Sequence, residues 1–100
     1  MSVIIWGRFK LDTQKFERIL TERKADFVAV AKEAKSKGAL HHRFSIGDGE
    51  IIVIDEWKTA EAFHEFFESQ ATVAEMLEQV GFQGPPDIAV YRAVDSPDQF

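Results

Sequence analysis

His41, His42 and Arg43 stand in a row, and Asp55 and Trp57 follow a dozen residues later. An imidazole beside a carboxylate is a simple general base, because the carboxylate fixes the tautomer and raises the basicity of the other ring nitrogen. A guanidinium can hold the anion that such a base creates, and an indole can stack on an aromatic ring. Together these groups suit the removal of a proton from a phenol or enol, leaving an anion electron-rich enough to react with dioxygen. His41 and Asp55 are the candidate catalytic pair, with Arg43 and Trp57 as candidate substrate contacts. The same side chains can also form a hydrogen-bond network at an interface that does no more than satisfy itself.

A β-hairpin must position them. The runs from Ala39 to Ile46 and from Glu50 to Trp57 are rich in Ile, Val, Phe and Trp, and Gly47-Asp48-Gly49 between them supplies turn residues. With a three-residue loop, Ile46 pairs with Glu50, Arg43 with Val53, His41 with Asp55 and Ala39 with Trp57. Side chains alternate along a strand, so the last six share one face. Leu40, His42, Phe44, Ile52 and Ile54 then form a mostly apolar face turned toward the helices. A two-residue loop shifts the register by one and sets His42 opposite Asp55 instead. The first register is preferred because it keeps Leu40, Phe44, Ile52 and Ile54 together, with His42 as a structural residue. Neighbouring His41 and His42 point to opposite faces and cannot chelate one ion, and no set of three or four converging ligands is visible. Neither a metal nor a cofactor is expected.

The rest of the chain supplies the frame. Its 100 residues make one domain, and an apolar fraction of 45% is that of a globular protein. The domain is expected over 1–94, with a polar tail over 95–100. Net charge is −5 with a pI near 5.1, and no dense Lys/Arg cluster tracks a phosphate backbone, so nucleic-acid binding is disfavoured. There is no cysteine, which excludes disulfides and thiolate catalysis. Apolar runs are too short for a membrane span and the N-terminus shows no signal pattern, so a cytoplasmic protein is expected.

Val3 to Phe9 reads as a strand. Phe16, Ile19, Leu20, Phe27, Val30, Ala31 and Ala34 then recur at helical spacing up to Gly38. Unbroken, a helix over Asp12–Lys37 would be roughly 39 Å long at 1.5 Å per residue, so a break is expected near Glu22–Asp26. Thr59 caps a second helix whose stripe includes Phe63, Phe66, Phe67, Leu77 and Val80 and which Gly81 ends. Gly84-Pro85-Pro86 forces a loop before a last strand, Asp87 to Val94. The order β-α-β-β-α-β is that of an α+β, ferredoxin-like fold with a four-stranded antiparallel sheet. Two helical segments cover one sheet face only, yet both parities of several strands are apolar. A second copy of the chain is the simplest cover, predicting a homodimer whose sheets face each other around a cavity.

The passage Ile52-Val53-Ile54-Asp55-Glu56-Trp57-Lys58-Thr59-Ala60-Glu61-Ala62-Phe63, with Gly84-Pro85-Pro86 before the last strand, resembles the antibiotic biosynthesis monooxygenase-like proteins of the dimeric α+β barrel superfamily. The resemblance implies a dimer with a pocket in each subunit, lined by the sheet face opposite the helices. It also implies cofactor-free oxygenation of phenolic or quinol substrates, haem degradation, or binding of an aromatic or apolar small molecule without catalysis. Many members carry a histidine where this chain has Phe66, and another near Ala71. Residues used by the quinone-forming branch match Val53, Trp57, Phe63 and Leu77, so only the tryptophan is kept. Val53 and Phe63 join Arg43 and Trp57 as expected substrate contacts. The haem-degrading branch matches Gly7, Phe66 and Met76, none of the needed type. Haem binding through His41 or Met76 is the third reading, after an oxygenase and a binding module.

Overall fold

A computed structural model describes residues 1–100. The elements are β1 (Val3–Lys10), α1 (Thr13–Glu22), α2 (Lys24–Lys37), β2 (Ala39–Gly47), β3 (Glu50–Trp57), α3 (Ala60–Ser69), α4 (Ala71–Gln79) and β4 (Asp87–Arg92). The strands form one antiparallel sheet in the order β2-β3-β1-β4, the α+β ferredoxin-like arrangement expected from the element order.

Local sequence explains most boundaries. The Asp12 side chain accepts from the Lys15 backbone N–H and starts α1; Thr59 does the same for Ala62 and α3. Gly38, at φ 121°, ends α2 in a conformation that a side chain resists. The helical run breaks at Arg23, inside the expected interval, and Arg23 then ties three segments together. Its guanidinium meets Asp26 at 2.8 Å, Glu75 of α4 at 2.8 Å and Gln79 of α4 at 3.0 Å. The second helical segment is also broken. At Gln70 the backbone is extended, so the single helix expected over Thr59–Val80 is two helices, α3 and α4. The five-residue gap between Phe67 and Val73 in the apolar stripe is the trace of that break.

The hairpin differs from the preferred register. Gly47 pairs with Glu50, leaving a two-residue turn of Asp48 and Gly49, with Gly49 at φ 70°. His42 therefore lies opposite Asp55, Arg43 opposite Ile54, Phe44 opposite Val53 and His41 opposite Glu56. An irregularity between Ala39 and His41 absorbs the slip, so Ala39 still pairs with Trp57 as expected.

Consequently the two strands do not sort as foreseen. His42 and Phe44 do face the helices and His41 and Arg43 do face away, but β3 is inverted. Ile51, Val53, Asp55 and Trp57 face the helices, whereas Ile52 and Ile54 face away. The core between sheet and helices holds Ile5, Ile51, Trp57 and Val80, each no more than 2% exposed. Burying each such side chain is worth roughly 2 kcal/mol. Gly7 belongs to this inner face. A Cβ there would meet the Phe9 ring at 3.1 Å, so glycine makes room for the ring. α2 stands apart, because it has no buried residue and its apolar stripe of Phe27, Val30, Ala31 and Ala34 borders open space.

Candidate functional site

That space is a cavity of about 380 Å³ between the sheet and the four helices. One chain supplies its whole lining, on the sheet face toward the helices, whereas the expected pocket lay on the face opposite them. The reason is the inversion of β3: the carboxylate and indole turn inward rather than toward a second sheet. The size lies in the range of small-molecule sites. Phenylalanines from β1, α1, α2, β2 and α3 dominate the wall, many in edge-to-face contact; Phe16 and Phe44 lie 5.1 Å apart.

His42 and Asp55 are the only charged or ionisable side chains in the lining. His42 Nδ1 is 2.6 Å from Asp55 Oδ1, and Trp57 Nε1 donates to Asp55 Oδ2 at 3.1 Å. Asp55 is 8% exposed and Trp57 1%, while the His42 side chain, on the edge strand β2, is 45% exposed. The carboxylate thus sits behind the imidazole, with both oxygens engaged. A carboxylate can only accept, so in the neutral imidazole the proton resides on Nδ1 and Nε2 keeps its lone pair. Phe44 packs edge-on against the imidazole at 4.6 Å, and Trp57 is held by Phe63 at 5.7 Å and Phe66 at 5.4 Å. The result is an imidazole of fixed orientation at the rim of an apolar chamber.

Of the six side chains singled out in the sequence, Asp55, Val53, Trp57 and Phe63 line this cavity. His41 and Arg43 do not. The His41 side chain is 80% exposed on the outer sheet face, 3.9 Å from Glu56, and Arg43 is exposed beside it. The pairing of His41 with Asp55 is therefore replaced by that of His42 with Asp55, and Arg43 has no access to an anion made in the cavity. The signal for this lay in the Asp48-Gly49 dipeptide, which favours a two-residue hairpin loop. No three His, Asp or Glu side chains approach closely enough to hold a metal ion.

No family model and no curated protein matches the sequence. Solved structures do match it over nearly its whole length. SnoaB, a cofactor-independent oxygenase from Streptomyces nogalater, is 15% identical, with 98% of each chain covered and a TM-score of 0.65. Rv0793 from Mycobacterium tuberculosis is 16% identical, with 98% of this chain and 100% of that one covered and a TM-score of 0.61. A candidate antibiotic biosynthesis monooxygenase from Deinococcus radiodurans is 15% identical, with 98% of each covered and a TM-score of 0.61. At such identities the likeness is one of fold. The chain has the fold of the antibiotic biosynthesis monooxygenase-like proteins, as its sequence suggested.

Proposed function

We propose that the protein binds an aromatic or otherwise apolar small molecule in this cavity and oxygenates it without a cofactor, His42 serving as the base. The observation that carries the reading is the Trp57–Asp55–His42 hydrogen-bond chain set in an otherwise apolar wall. In a substrate with a methylene activated by a ketone, enolisation moves one C–H proton to the oxygen, Nε2 of His42 takes it from the hydroxyl, and the enolate passes an electron to dioxygen. Recombination forms the C–O bond. Loss of the second C–H proton and cleavage of the O–O bond then give a carbonyl and one water, so CH₂ and O₂ become C=O and H₂O. Asp55 stabilises the imidazolium formed in the first step, and Trp57 keeps Asp55 in place. The apolar wall keeps competing water from the anion.

The reading includes a homodimer formed through the outer sheet faces. Trp6, Ile52, Ile54, Ala89 and Tyr91 alternate onto that face in three adjacent strands, with Ile54 46% and Tyr91 60% exposed. A patch of this kind calls for a partner. A cytoplasmic site of action fits a chain without cysteine.

Oxygen uptake with a panel of anthrone, 1-naphthol and 2-naphthol, each with a single oxygen substituent, tests the proposal. His42→Ala is expected to abolish uptake and His41→Ala to retain it; the reverse would sink the assignment. A second reading, a binding module without catalysis, is favoured by the placement of Arg43 outside the cavity, which leaves no cation to hold an anion. Binding of the panel compounds without uptake would select it.

A further inference from the structure

The distribution of polarity along the cavity wall restricts what can occupy it. Backbone groups offer little: β1 and β3 are interior strands, their N–H and C=O groups committed to neighbours on both sides, and inside each helix the groups bond one another. Asp55 already receives a bond on each oxygen, and the Trp57 N–H is spent on one of them. With Asp55 only 8% exposed, Nε2 of His42 is then the most accessible hydrogen-bonding point for a ligand, and His42 is also the half-exposed member of the trio. Everywhere else the wall is aliphatic, aromatic or thioether.

Resting on the reading above that the cavity is a ligand site, we propose that it selects single-ended molecules: an apolar fused-ring body with one hydroxyl, bound with that hydroxyl at His42 and the body against the phenylalanines. A second polar substituent on the far side of the ring system is rejected, because it would lose its water and find no partner. Specificity is thus set by one residue that accepts and by a wall that offers nothing.

Calorimetric titration under nitrogen, which removes turnover, tests this with naphthalene, 2-naphthol and 2,6-dihydroxynaphthalene. The expected order has 2-naphthol binding about 10-fold more tightly than either of the others, the worth of one hydrogen bond made or one buried hydroxyl left unmade. His42→Ala is expected to erase the preference for 2-naphthol over naphthalene while naphthalene still binds. His42→Gln, which keeps an acceptor but no base, is expected to retain it. Tighter or equal binding of the diol, or a preference that survives His42→Ala, would overturn the proposal. The two readings fail separately. Wild-type protein that shows this order but consumes no oxygen loses the oxygenase and keeps the selectivity. Uptake with a diol bound as well as 2-naphthol does the opposite.

Discussion

Asp55 does more for the site than its distance from any substrate suggests. With both oxygens accepting, from His42 Nδ1 and Trp57 Nε1, it sets the direction in which the imidazole presents its lone pair. Asp55→Asn makes a sharp case. The indole N–H can only donate, so it takes the amide oxygen and turns the amide NH₂ toward His42. Nδ1 must then accept, the ring proton moves to Nε2, and the base is lost without a change of shape. Turnover is expected to fall on the order of 10²-fold or more, with the circular dichroism spectrum and naphthalene affinity unchanged. Retained turnover would show that Nε2 of His42 is not the base. Arg43 offers the contrast: its type suited an anion site, but an exposed position opposite Ile54 removes it from the chemistry.

At the scale of elements, the β2–β3 turn decides which histidine enters the cavity. Asp48 keeps an ordinary negative φ and Gly49 takes φ 70°, which closes the hairpin in two residues. A Cβ at Gly49 would touch nothing within 4 Å, so the penalty there is conformational alone. Gly49→Val is expected to cost about 1–2 kcal/mol in urea denaturation, and its main interest is what it does to register. If the loop lengthens by a residue to relieve the strain, His41 moves toward the inner face and His42 out of it. Uptake should then fall further than the loss of stability explains. The broken helices matter in the same way. The breaks at Arg23 and Gln70 bend the helical layer over the sheet in four short pieces, and the space beneath them is the cavity.

For the whole molecule, the two faces of the sheet have separate tasks. The inner face lines the cavity, and the outer face carries the apolar residues that the proposed dimer would cover. Ile54, paired with Trp6 and Arg43 across its two neighbours, lies centrally on that outer face. Ile54→Lys is expected to shift sedimentation velocity from dimer to monomer, since burying an ammonium against a second sheet strips it of water. Because one chain supplies the whole lining of the cavity, the monomer is expected to keep its preference for 2-naphthol. A wild-type protein that sediments as a monomer at micromolar concentration would remove the dimer and leave the cavity standing.

Element order, the cap at Thr59, the break near Arg23 and the antiparallel ferredoxin-like sheet were all legible in the sequence, because each rests on local signals: apolar spacing, a capping Thr, a terminal glycine. The likeness to the monooxygenase-like fold was legible too, in the stretch from Ile52 to Phe63. The set of chemical residues was nearly so, since Asp55 and Trp57 are two apart on one strand and must share a face. Which histidine joins them was not. Moving one residue between loop and strand turns a whole strand over, and apolar content on both faces of β3 gave alternation nothing to choose by. Only packing resolved it: Trp57, Val53 and Ile51 are needed to fill the space beneath the helices, and Asp55 goes inward with them because it shares their parity.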